Sequence, residues 1–188
     1  MKHLLTTYFM YVEDSSAAVR RLLERRSFRQ ACLGYLAAAL SWVLFFNISD
    51  DLSIFTFLFK LGLVFLAEIT AGYFAAALCG LFLDLRRVKV SSAQLFVLLG
   101  SAGFLNGLLI ACALISAAFA SAHLGLLMPL VVLGLFILKL IYLVRGLQYA
   151  WNVDVVEALG GWLFGLVPVC MAFSLVGIFL IWFLVVLF

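Results

Sequence analysis

Charged side chains are scarce in this chain. Asp, Glu, Lys and Arg make up 11% of its 188 residues, whereas 68% are hydrophobic. A soluble domain carries about 25% charged residues, because polar side chains must cover the outside of its core. The composition therefore excludes an ordinary soluble globule and predicts that lipid forms part of the solvent. The net charge is only +3, and no nucleic-acid-binding module accompanies it, so we expect no nucleic-acid partner.

Residues for metal or covalent chemistry are also few. The four cysteines are scattered through apolar stretches without a CxxC pair, which predicts packing residues and neither a zinc site nor a redox dithiol. His3 and His123 lie on opposite sides of the membrane in the topology below and cannot share a metal. There is no nucleotide-binding glycine loop, and the apolar runs contain no Ser–His or paired-Asp arrangement. We therefore predict no catalytic residues, no metal, no cofactor and a non-enzymatic protein.

What the chain has instead is a series of apolar runs that are long enough to cross a bilayer, which takes about 20 helical residues. They predict an all-α membrane protein with five transmembrane helices in one domain, residues 28–188. The predicted spans cover residues 28–48, 61–83, 93–120, 126–144 and 159–188.

Further details of these spans follow from charge and proline. Residues 52–83 as one helix would be about 48 Å long, against a hydrocarbon thickness of about 30 Å. We therefore predict a break at Lys60, with residues 52–59 as an interfacial segment. Residues 145–157 are predicted to be a charged loop. Pro129 and Pro168 are predicted to kink or locally loosen the fourth and fifth spans.

Residues 1–27 predict a leader with a short basic amphipathic helix lying on the membrane surface. Its alternative is a solvated charged helix that leads into the first span. The clustered arginines are predicted to contact anionic lipid headgroups or a protein partner. They are Arg20, Arg21, Arg25, Arg26 and Arg29. Since basic residues mark the cytoplasmic side, they predict a cytoplasmic N-terminus and an external C-terminus.

Glu68 is the carboxylate that the topology places deepest in a span. A charge there costs on the order of 2.5–3.5 kcal/mol and so faces other helices. By helical rise, Glu68, Asn106 and Ser174 each lie about 20–22 Å from the cytoplasmic end of their span. This common depth predicts a shared polar layer. This layer is either a proton or polar-ligand site, or a neutral hydrogen-bonded tie between spans. Lys139 is six residues from Arg145, so its side chain is predicted to extend to the cytoplasmic interface.

Small residues recur four apart, a spacing that lets helix backbones approach closely in lipid. We expect this packing to be within the monomer, with dimerisation as the alternative. The glycine pairs are Gly103 with Gly107 and Gly161 with Gly165, and Gly72, Ala76 and Gly80 continue the pattern in the second span.

Three segments carry a family resemblance. They are RRVKVSSAQLF at 86–96, LIYLVRGL at 140–147 and VVEA at 155–158. Together with the five runs, they resemble bacterial-type members of the Yip1 family over residues 11–188. The resemblance implies a cytoplasmic N-terminal segment, five closely spaced helices, a C-terminus on the far side and a place in the bacterial inner membrane.

Two functional hypotheses follow. The first is a non-enzymatic scaffold, adaptor or lipid-organising protein whose partners are membrane lipids and a protein partner or a second copy of itself. It depends on the basic leader and the small-residue packing. The alternative is a small transporter or permeation subunit with Glu68 at its polar site.

Overall fold

The computed structural model describes residues 28–47, 53–118 and 128–187, and every regular element within these ranges is helical. The helices are α1 (Phe28–Asn47), α2 (Ile54–Leu85), α3 (Ser92–Ala102), a 3₁₀ segment (Gly103–Asn106), α4 (Gly107–Ala118), α5 (Met128–Trp151) and α6 (Val155–Leu187). The third span joins α3 to α4 through the 3₁₀ segment, so the described chain has five spans long and apolar enough to cross a membrane. The predicted all-α fold with five transmembrane helices is confirmed, and the protein is a multi-pass integral membrane protein. The predicted leader helix lies outside the described residues.

The second span is one continuous helix of 32 residues, so the predicted break at Lys60 is wrong. Ser53 caps its start by accepting a hydrogen bond from the backbone N–H of Thr56 at 3.2 Å. The Lys60 ammonium donates a hydrogen bond to the side-chain oxygen of Asn47, at the end of α1. Because the charge finds a partner on a neighbouring helix, the helix continues past it without a break.

The predicted loop 145–157 is also wrong, because α5 runs on to Trp151 and α6 begins at Val155. Leu147 is fully buried in the core, and a Cβ at Gly146 would contact the Leu98 side chain. Burial of this apolar face keeps the segment helical despite its charge.

The two prolines differ in their effect. Pro129 is the second residue of α5 as described, where a missing N–H breaks no hydrogen bond within the helix, and the kink or loosening expected there stays a prediction. Pro168 lies inside α6, and the helix continues through it.

Small residues make the helix contacts closest. A Cβ on Gly34 of α1 would overlap the backbone carbonyl of Gly100 in α3, and a Cβ on Gly103 would overlap the carbonyl of Gly34. A Cβ on Gly165 of α6 would lie 2.5 Å from the carbonyl oxygen of Ala75 in α2. The predicted packing within the monomer is confirmed at Gly103 and Gly165, whereas a Cβ at Gly107 would meet no neighbouring helix among the described residues.

The bundle has a basic end, defined by Arg29 in α1, Arg86, Arg87 and Lys89 after α2, and Arg145 in α5. The main core lies towards this end and includes Leu83, Leu147 and the fully buried Trp162. A smaller cluster around Phe45 and Leu135 lies towards the opposite end.

Candidate functional site

A partly open cavity of about 340 Å³ lies between the helices, and all five spans contribute to its wall. Its polar side chains are those of Tyr35 from α1, Glu68 from α2 and Lys139 from α5. Most of the remaining wall is apolar, with Leu99 from α3 and Leu166 from α6 among its residues. The site therefore combines one acidic, one basic and one hydroxyl group in an otherwise apolar surrounding.

Glu68 lies near the middle of α2, about 21 Å from the first residue of the helix and about 26 Å from its last at 1.5 Å per residue. It is partly buried. It interacts electrostatically with both Lys139 and Tyr35. The predicted deep carboxylate thus faces a neighbouring helix that carries the opposite charge.

Lys139 does not extend to the basic end of the bundle but lines the same cavity as Glu68. The prediction that it reaches the interface beside Arg145 is wrong, and the reason is the direction of helical side chains. They tilt towards the N-terminus of their own helix. Since Arg145 follows Lys139 along α5, this tilt carries the lysine away from the basic end and towards the membrane centre.

Tyr35 is a member of the site that the sequence did not indicate. Its side chain is 2% exposed, and its hydroxyl donates a hydrogen bond to the backbone carbonyl of Phe96 at 3.2 Å. The two rings pack with their centroids 4.9 Å apart. A Cβ at Gly72 would overlap the tyrosine hydroxyl, so this glycine of α2 leaves the room that the hydroxyl occupies. The glycine pattern of the second span was the sequence signal for such a close approach.

The other two residues of the predicted polar layer lie elsewhere. Asn106 is completely buried at the end of the 3₁₀ segment, and neither its side-chain nitrogen nor its oxygen has a hydrogen-bond partner. It follows Gly103, a wall residue, by one 3₁₀ turn. Ser174 is exposed on α6, next to the wall residue Phe173. The structure therefore places Glu68, Lys139 and Tyr35 together on the cavity wall, without Asn106 and Ser174.

Of the predicted lipid-contacting arginines, Arg29 is exposed in the first turn of α1. Arg20, Arg21, Arg25 and Arg26 lie outside the described residues. Their contact with lipid or a partner stays a prediction.

Chemically, the cavity suits a solute that presents charge or hydrogen-bonding groups to Glu68 and Lys139. Among the residues that the structure describes, no cluster of three or more His, Cys, Asp or Glu side chains is placed to hold a metal ion. No protein-family model, curated protein or solved structure matches this chain. The resemblance to the Yip1 family therefore rests on the three segments quoted above.

Proposed function

We propose that this protein is a small membrane carrier or permeation subunit that moves a polar solute, with Glu68 and Lys139 at its working site. The observation that supports it is the placement of these two opposite charges on one cavity wall, deep in the bundle. Ionisable residues inside membrane helices usually mark solute, ion or proton pathways. A cavity with apolar walls and a few convergent polar groups is also the usual form of a small-molecule site.

The charge distribution supports an orientation for this carrier. Arg29, Arg86, Arg87, Lys89 and Arg145 define the basic end, whereas Lys60 lies at the other end beside Asn47. Positive residues favour the cytoplasmic side. We propose a cytoplasmic N-terminus, an external C-terminus and, with the Yip1 resemblance, a bacterial inner-membrane protein that is not an enzyme.

Uptake into proteoliposomes tests this function. The solutes are labelled glycerol, glycine, leucine, choline and acetate, and Glu68→Gln is compared with wild type. We expect uptake of at least one solute above that of protein-free vesicles, and about a tenfold or larger loss in the variant, because a hydrogen bond to a charged group contributes about 1.5–3 kcal/mol.

Glu157→Gln is the matched control, since this carboxyl lies in the first turn of α6 and is not part of the cavity wall. It should transport like wild type. Absence of uptake for every solute, or equal uptake by Glu68→Gln and wild type, would refute the proposed function.

A scaffold, adaptor or lipid-organising role is the second candidate. It is favoured by the last turns of α6, where Phe179, Trp182 and Phe183 are exposed. These side chains face lipid or another membrane protein. Mass spectrometry of the lipids and proteins that copurify with the chain in a gentle detergent tests this role. If none copurifies and the chain still takes up solute, this role is excluded.

A further inference from the structure

We propose that the cavity binds a small zwitterion with an apolar side chain, such as a hydrophobic amino acid. This deepens the proposed function and rests on the same site. The ammonium group of the solute would face Glu68, and its carboxylate would face Lys139. Its side chain would lie against the apolar wall.

Charge balance is the first argument for a zwitterion. Glu68 and Lys139 lie on different helices but line the same cavity and interact electrostatically. Together they are neutral when both are ionised. A singly charged solute would bring an uncompensated charge into a site of low dielectric, which is unfavourable, whereas a zwitterion presents one opposite charge to each residue.

The wall and size of the cavity provide the second argument. Leu63, Leu99, Leu166 and Val169 are among the residues around the two charged groups. The volume of about 340 Å³ lies near the lower limit of small-molecule sites, about 300–1,000 Å³. The cavity therefore favours a compact solute that has an apolar side chain in addition to its charged groups.

The third argument concerns the source of the zwitterion. A lipid such as phosphatidylethanolamine also carries an ammonium group and an anion. Its headgroup lies at the interface, however, whereas Glu68 is about 21 Å from the nearer end of α2 by helical rise. Depth therefore favours a free solute over a headgroup.

Tyr35, from α1, adds a neutral polar group to the cavity wall. Its hydroxyl proton is directed to the Phe96 carbonyl, so the lone pairs of the same oxygen remain to accept a hydrogen bond from an ammonium group. Glu68 interacts electrostatically with this tyrosine. The ammonium group of the solute would thus meet two acceptors, Glu68 and Tyr35.

Binding of labelled L-leucine to the purified full-length chain in detergent tests the inference, with thermal unfolding as a second readout. The competitors are leucinamide, which is only cationic, 4-methylpentanoate, which is only anionic, and the neutral 4-methylpentanamide. We expect saturable leucine binding that these three analogues displace weakly. In the series 2-aminobutyrate, norvaline and norleucine, each methylene that is buried should tighten binding about fourfold.

The variants Glu68→Gln and Lys139→Met should each weaken leucine binding about 10- to 100-fold, since each removes a charged partner. Glu157→Gln and Lys89→Met are the matched controls outside the cavity wall, and they should bind like wild type. If a single variant fails to fold, the double variant, which leaves no unpaired charge, should fold and still not bind leucine.

Several results would overturn the inference. One is the absence of both saturable leucine binding and a thermal shift. Another is a singly charged analogue that binds as tightly as leucine. A third is a double variant that binds leucine as tightly as wild type. Weaker leucine binding in phosphatidylethanolamine nanodiscs than in phosphatidylglycerol nanodiscs would identify a lipid headgroup as the occupant instead. Leucine binding without uptake refutes the carrier and leaves the zwitterion site intact. Glu68-dependent uptake of glycerol, choline or acetate without leucine binding refutes the zwitterion site and leaves the carrier intact.

Discussion

Replacement of Gly34 by alanine tests whether the backbone contact between α1 and α3 positions the site. A Cβ at this glycine would overlap the carbonyl oxygen of Gly100. The obstacle is backbone, so a side-chain rotation cannot relieve the overlap. The two helices would have to move apart, and Tyr35, the next residue of α1, would move away from Phe96 and from the cavity.

The magnitude follows from comparison with Gly134→Ala. Gly134 also lies within a helix, and a Cβ there would meet no other atom within 4 Å. Both replacements gain about 0.5–1 kcal/mol from the conformational preference of alanine for helix. Only Gly34→Ala also has the cost of overpacking, typically about 1–3 kcal/mol. The difference in free energy of unfolding between the two variants should therefore be about 1–3 kcal/mol.

Thermal unfolding in detergent, followed by circular dichroism at a helix band, measures this difference. By the scaling for soluble chains of 150–250 residues, each kcal/mol corresponds to about 2–4 °C in Tm. Gly134→Ala should unfold at or above the wild-type temperature, and Gly34→Ala should unfold below it. If Gly34→Ala is as stable as Gly134→Ala, the close approach of α1 and α3 does not hold Tyr35 in place.

Two further variants test local features with the same assay. Asn106→Leu removes a fully buried amide without a hydrogen-bond partner, so stability should be unchanged or rise by about 1–3 kcal/mol; a clear loss would show that the amide is hydrogen-bonded, for example through water. Arg87→Gly should stabilise the chain by about 1 kcal/mol, and Arg87→Val should destabilise it. The reason is that Arg87 has φ of 64° at the end of α2, where a non-glycine residue is strained; equal stability of the glycine and valine variants would contradict this account.

The fold could be predicted from the sequence because apolar run length is a direct measure of what a bilayer requires. Errors arose where a charge was interpreted as a boundary, at Lys60 and at Arg145. A helix ends when its backbone hydrogen bonds end, and a charge inside it is tolerated when it has a partner or lies at the surface. Lys60 has Asn47 as its partner, and Arg145 is exposed, so neither ends a helix.

The site could be predicted only in part. Glu68 was evident because a carboxylate in the middle of an apolar run is rare. Lys139 was missed because its distance from Arg145 along the chain was used without the direction of its side chain. Tyr35 could not be found from a single helix, since its place depends on how closely Gly72 lets α1 approach α2. The depth of a residue in its span follows from the sequence, whereas which residues of neighbouring helices face each other depends on how the helices pack.

The placement of Glu68 and Lys139 on one cavity wall fits the proposed binding site better than a tie between helices. Each charge alone costs about 2.5–3.5 kcal/mol in the middle of a span, and bringing two opposite charges into a bundle often adds no stability over apolar side chains. This bundle already obtains its closest helix contacts from small residues, such as Gly34 against Gly100. A tie would also need no space beside it, whereas these two side chains line a cavity of about 340 Å³. We therefore propose that a solute that matches both charges, and not the stability of the bundle, accounts for their position.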